Sequence, residues 1–139
     1  MRIFVDTNVI LDFFLSRGTQ KEAVTGLFEE IYQEKIGAVT SASCITDIYY
    51  ITAKRLGDSK AREVLSNLLS ILGIVSVDGN DCVKALELPV PDFEDALVLT
   101  CASKVEISYI ISSDKGFLNV ETPSMRVITA EGFMDILRG

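Results

Sequence analysis

An α/β fold with a parallel sheet is what this chain predicts, and three observations carry the prediction. Short, almost purely apolar runs recur along the sequence, amphipathic stretches separate them, and aspartates follow several of the runs. Apolar runs without alternation mark strands buried on both faces. Strands that alternate with helices form parallel sheets covered on both sides, joined by right-handed crossovers. The expectation is therefore a single three-layer α/β/α domain over residues 1–139, with five parallel strands.

The elements follow in order. Arg2-Ile3-Phe4-Val5 is the first strand and runs straight into Asp6-Thr7-Asn8. The helix after it carries Asp12, read as solvent-facing. Residues 21–34 place Ala23, Val24, Leu27, Phe28, Ile31 and Tyr32 at helical spacing, with Glu and Lys opposite. Gly37-Ala38-Val39-Thr40 is the second strand. Ser43 is expected to cap a helix running through Arg55, with Ile45, Ile48, Tyr49 and Thr52 on its inner stripe. Gly57 breaks the chain, and Asp58 is expected to cap a helix carrying Val64, Leu65, Leu68, Leu69 and Leu72. Ile74-Val75-Ser76-Val77 is the third strand, with a short helix over about residues 80–87. Pro89-Val90-Pro91 forces an extended link, after which Asp92 opens a helix in capping-box fashion with Asp95 at the fourth position. Ile107-Ser108-Tyr109-Ile110-Ile111 is the fourth strand and ends in Ser112-Ser113-Asp114. A loop containing Gly116 and Pro123 leads to the fifth strand, Arg126-Val127-Ile128. Thr129 caps a last short helix carrying Phe133, Ile136 and Leu137.

Composition narrows the chemistry. With 139 residues, 48% of them apolar, the chain has material for a core that buries roughly 68–70% of its unfolded surface. No run of 18 or more uncharged apolar residues points to a membrane span, and no signal-peptide layout is present. Three widely spaced cysteines, Cys44, Cys82 and Cys101, read as reduced, buried thiols of a cytoplasmic protein. There is no histidine, which removes the commonest general base and the commonest zinc ligand. Catalysis would run through carboxylates, hydroxyls, lysine or a metal ion. A net charge of −7 disfavours broad salt-driven binding to a polyanion, but bound cations reverse the field at a carboxylate site.

Four acids fall at comparable places. Asp6 ends the first strand, Asp114 follows the fourth, Asp95 sits in the first turn of its helix, and Asp47 lies on the helix after the second strand. Each has an ordinary structural reading: Asp6 as a helix cap, Asp95 as a first-turn acid favoured by the helix dipole, Asp114 as a turn residue, Asp47 as a surface acid. If the strands are parallel, however, all four converge on one edge, at the switch point where sites in such sheets lie. Two carboxylates about 4 Å apart repel by roughly 4 kcal/mol at an effective dielectric of 20. A cluster is tolerated only if protonated, salt-bridged or holding a cation, and no basic residue is placed in sequence to neutralise all four. All-oxygen ligation selects hard ions, magnesium or manganese. Spacing alone leaves Asp92 and Glu94 open as ligands beside Asp95, and Lys115 open as a phosphate contact.

Val5-Asp6-Thr7-Asn8-Val9, Asp92-Phe93-Glu94-Asp95-Ala96-Leu97 and Ser112-Ser113-Asp114-Lys115-Gly116-Phe117, in this order, resemble a PIN domain over nearly the whole chain. The resemblance implies a metal-dependent ribonuclease fold with sheet order 3-2-1-4-5, often a toxin of the VapC kind that dimerises and is inhibited by an antitoxin protein. Carried over by residue, Asp6 matches the first acid, Asp95 the third and Asp114 the fourth. The second acid, usually Glu, falls on Asp47, whose shorter side chain is expected to weaken direct ligation or make it water-mediated. Asn8 and Ser112 or Ser113 match polar positions that support the site. The implied cofactor is Mg2+ or Mn2+ and the implied substrate RNA. A haloacid-dehalogenase-type phosphatase also begins with a strand and an Asp, but normally has a second Asp where this chain has Asn8. A catalytically weak PIN-like binding module is the other alternative.

Overall fold

The computed structural model describes residues 1–120, 122 and 125–139. Its elements run β1 (Arg2–Val5), α1 (Thr7–Phe14), α2 (Lys21–Tyr32), β2 (Gly37–Ser41), α3 (Ala42–Leu56), α4 (Asp58–Ile71), β3 (Gly73–Val75), α5 (Gly79–Glu87), α6 (Phe93–Ala102), β4 (Tyr109–Ile111), α7 (Lys115–Leu118), β5 (Arg126–Ile128) and α8 (Ala130–Arg138). The strands form one parallel sheet in the order β3-β2-β1-β4-β5, as the resemblance implied. β1 lies at its centre: Ile3 pairs with Ala38 on one side and Tyr109 on the other. Ile3, Phe4 and Val5 are fully buried although neighbours along a strand face opposite sides, so helices cover both faces. Because every pairing is parallel, the carboxyl ends of the strands share one edge.

Local departures from the sequence reading have physical reasons. Ser41, not Ser43, caps α3: its extended backbone suits the cap, and its Oγ accepts the Cys44 N–H at 3.4 Å. Gly57, at φ 88, both ends α3 and opens α4, a conformation glycine adopts without a Cβ penalty. Asp58 is therefore the first residue of α4 and caps nothing; its carboxylate accepts from Arg62 Nε at 3.0 Å and from the Tyr49 hydroxyl. β3 stops at Val75 because its partner β2 ends at Ser41, leaving Ser76 and Val77 unpaired. α2 ends at Tyr32, and Glu34, at φ 58, turns the chain away. A one-turn helix, α7, occupies part of the expected loop at Gly116; it is too short to show a period. Pro123 lies outside the described residues. Cys44 and Cys101 are buried free thiols, but Cys82 is half-exposed rather than buried. Among the described residues, no helix is long and apolar enough to cross a membrane.

Candidate metal centre

The carboxyl edge of the sheet carries a cavity of about 580 Å³, and Asp6, Asn8, Asp47, Glu94, Asp95 and Asp114 all line it. Asp6 enters from β1, where its backbone N–H continues the sheet to the Ile111 carbonyl at 2.9 Å. The same residue is the N-cap of α1, with Oδ1 accepting the Thr7 N–H at 2.9 Å. Its other oxygen, Oδ2, accepts the Ser112 hydroxyl at 2.9 Å. That hydroxyl in turn accepts the Asp114 N–H at 3.1 Å, so it bridges the Asp6 carboxylate and the Asp114 backbone. Ser112, fully buried, thus ties the end of β1 to the end of β4. Asp114 caps α7 through the Gly116 N–H at 2.9 Å. Asp95 comes from α6, whose cap Asp92 accepts the Asp95 N–H at 3.1 Å; the bond runs that one way, so only half of the expected box forms.

No ion pair among the described residues reaches these acids. The electrostatic result is visible in their acidities. Burial, reinforced by the charges of Asp92, Asp114, Asp6 and Glu94, pushes the Asp95 carboxyl up to about 7. Burial also raises Asp6; the Ser112 and Thr7 bonds oppose the rise, and the charges of Asp114 and Asp92 add to it. Glu94 is raised by burial and then by Asp47, Asp92 and Asp6. Asp6 and Asp95 are 9% and 8% exposed, with no ion-pair partner among the described residues. Among the described residues no three acids gather closely enough to close around an ion by themselves. They line the walls of an open cavity instead. That arrangement suits magnesium, which keeps several waters and takes one or two carboxylates plus substrate phosphate. Cys44 adds a sulfur to the wall, but its Sγ already accepts the Ser41 hydroxyl at 3.2 Å.

A family model described as a PIN domain matches residues 2–116. The chain belongs to the PIN domain family. Ribonuclease VapC1 of Aquifex aeolicus (strain VF5) is 30% identical over 139 residues, covering 96% of this chain and 94% of that protein. Among solved structures, the fold is shared with VapBC2 from Rickettsia felis bound to a promoter DNA fragment, at TM-score 0.66 and 14% identity over 91% of this chain and 97% of that one. It is shared also with Mycobacterium tuberculosis VapC20, a toxin that cleaves the sarcin-ricin loop, at 0.64 and 19% over 83% and 92%. A toxin–antitoxin complex from Klebsiella pneumoniae matches at 0.65 and 17% over 92% and 97%.

Set against the PIN motif, the four expected acids all reach the cavity, but unequally. Asp6 and Asp95 are buried in it and Asp114 is half-buried. Asp47, expected on the inner side of its helix, is exposed at the rim. Its neighbour Ile48 takes the core-facing position, and one residue along a helix turns the side chain by about 100°. Asn8 lines the cavity; Ser113 is exposed and does not. Of the residues that spacing left open, Glu94 lines the cavity, Asp92 acts as a cap, and Lys115 is exposed outside it. Phe93, 44% exposed, stands at the mouth, a feature the apolar pattern gave no reason to single out. Asp12 is not solvent-facing: it pairs with Arg17 at 3.0 Å and its side chain is only 15% exposed.

Proposed function

We propose that this chain is a single-domain, cytoplasmic, divalent-metal-dependent endoribonuclease, the toxin of a toxin–antitoxin pair, working as a homodimer held in check by an antitoxin protein. The observation that carries the reading is the acid-lined cavity at the switch point of a PIN sheet, whose buried carboxylates have no ion-pair partner among the described residues. Family membership and the similarity to a ribonuclease VapC support it, as do the toxin–antitoxin systems among the structural neighbours. Asp6, Asp95 and Asp114, with Asp47 at the rim, would hold Mg2+ or Mn2+. When bound, such an ion polarises the phosphate and lowers the pKa of water.

The protein's own groups supply the remainder. A cavity carboxylate, Asp6 or Asp95, is placed to orient the attacking water or to take its proton. Water adds to phosphorus, the phosphorus–oxygen bond to the leaving nucleotide breaks, and that oxygen takes up a proton. Ser112 keeps Asp6 from rotating away, because the same hydroxyl is pinned by the Asp114 N–H. In RNA cleavage assays with Mg2+ or Mn2+, Asp6→Asn is expected to lower the rate by at least roughly 10³-fold, the scale of losing a group that acts as part of a unit. Its melting curve should remain cooperative. Cleavage at the wild-type rate by the purified variant sinks the reading. The exposure of Asp47 favours the second reading, a PIN-like binding module of weak activity. Manganese calorimetry separates the two, since a module of that kind binds a protein partner tightly and the ion not at all. The family assignment leaves the phosphatase alternative without support.

A further inference from the structure

At the end of α1 the backbone turns through left-handed conformations that bring Arg17 onto Asn8, a residue of the cavity wall. After Phe14 it reverses through Ser16, at φ 49, and Gly18, at φ 88. A serine in the left-handed region costs free energy and persists only where other contacts over-determine it. Arg17 supplies those contacts. Its backbone N–H donates to the Asp12 carbonyl at 3.1 Å, and its Nε donates to Asp12 Oδ1 at 3.0 Å. Glycine suits the next position, because φ 88 lies in a region that L side chains rarely adopt. The other arm of the guanidinium, Nη2, donates to the Asn8 amide oxygen at 3.4 Å. Asn8 and Asp12 lie one turn apart on the same face of α1, so one planar fork spans both; a lysine ammonium lacks that shape.

This contact decides what Asn8 presents to the cavity. A primary amide carries an acceptor on one side and two donors on the other, and its partners determine which way it points. With Oδ1 turned to Arg17, the Nδ2 hydrogens are what remain for the space lined by Asp6, Asp95 and Asp114. We propose that Arg17 is a positioning residue of the acid cavity: clamped by Asp12, it holds the Asn8 amide with its N–H groups facing the phosphodiester, as donors to a non-bridging oxygen. Asn8 is then a substrate donor and not an oxygen ligand of the cation. The substrate half rests on the ribonuclease reading; the amide orientation does not.

The test compares wild type, Arg17→Met, Asn8→Ala and the double variant on one RNA oligonucleotide with Mn2+, alongside ¹⁵N-resolved NMR of the Asn8 side-chain amide without metal. Arg17→Met is expected to lower kcat about tenfold, as a misaligned contact does, with KM within about twofold. The double variant should be no slower than Asn8→Ala, because Arg17 acts through Asn8. The Asn8 amide resonances should move in Arg17→Met while the melting temperature stays close to that of wild type. Losses that multiply in the double variant, a change confined to KM, or an Asn8 amide that does not move each overturn the proposal. An active wild type with an equally active Arg17→Met sinks this inference alone. An inactive wild type whose Asn8 amide still moves sinks the ribonuclease reading and leaves the positioning role standing.

Discussion

Asp81 and Asp95 occupy neighbouring helices, α5 and α6, and both are removed from water, yet their surroundings drive them in opposite directions. Asp81, 2% exposed, belongs to a reciprocal capping box with Asp78, and its Oδ2 accepts from Lys104 Nζ at 2.6 Å and the Asp78 N–H at 3.0 Å. Lys104 first, and the Asp78 backbone second, hold that carboxyl below the usual carboxylate range. Lys104 also donates to the Ser76 carbonyl at 2.7 Å, so the pair ties α6's end to the segment after β3. Asp95 has no such partner among the described residues and is pushed up to about 7. Asp81 is a buried carboxylate paired within the fold, whereas Asp95 is a buried carboxylate left among other acids with no ion-pair partner among the described residues.

The comparison can be broken in three places. The largest effect on stability belongs to Asp81→Ala, which strands Lys104 and opens the capping box; differential scanning fluorimetry at pH 7 should show a melting temperature several degrees lower. Because the folded carboxyl titrates below its unfolded value, the pairing contributes fully above about pH 4 and fades in acid, so the deficit should shrink there. Manganese binding should be unchanged; a loss of binding equal to that of an Asp95 variant erases the distinction.

Asp95→Asn should act with the opposite sign. The folded carboxyl titrates above its ordinary value of 3.8, so the ionised form costs stability fully above about pH 7 and not at all below about pH 4. Ion-free Asp95→Asn should therefore be more stable than wild type at pH 8 by about 1–2 kcal/mol, a shift discounted for a wet cavity, with the gain gone at pH 4. Manganese at a hundred times its Kd should add about 2.7 kcal/mol to wild type and much less to the variant. A variant that is less stable at pH 8 would contradict the assignment of Asp95 as an unpaired charge. The smallest effect is at the rim: Asp47→Glu should raise kcat/KM by roughly two- to fivefold, under about 1 kcal/mol, by extending the carboxylate one methylene inward. A large loss there would mean that Asp47 already sits where the chemistry needs it.

Much of this architecture was legible because it is written in short-range pattern. Apolar runs marked all five strands, although the fourth covers only Tyr109–Ile111 and not Ile107 and Ser108, and Thr129 capped the last helix as expected, since cap and helix are adjacent in sequence. Asp6, Asp95 and Asp114 could be placed on one edge because a strand end or a first helical turn positions each of them. What escaped depends on contacts between distant residues or on single backbone angles. The Asp81–Lys104 pair joins different elements, and the Arg17 return needs positive φ at Ser16, which no propensity predicts. The shift of the caps to Ser41 and Gly57 depends on where the preceding strand or helix ends. Ser112 and Ser113 are alike in sequence, and only the direction each side chain leaves β4 separates the buried one from the exposed one.

The position of β1 has a consequence for how the protein is made. β1 is the middle strand of the sheet, and its partner β4 follows it in the chain by more than a hundred residues; the bond from Ser112 to Asp6 spans 106 positions. Chains emerge from the ribosome amino end first, and contacts of such long range form last. A partly translated chain thus carries Asp6 and Asp47 but neither the α6 wall nor the β4 edge of the cavity. The cavity is therefore completed only once α6 and β4 have joined the sheet.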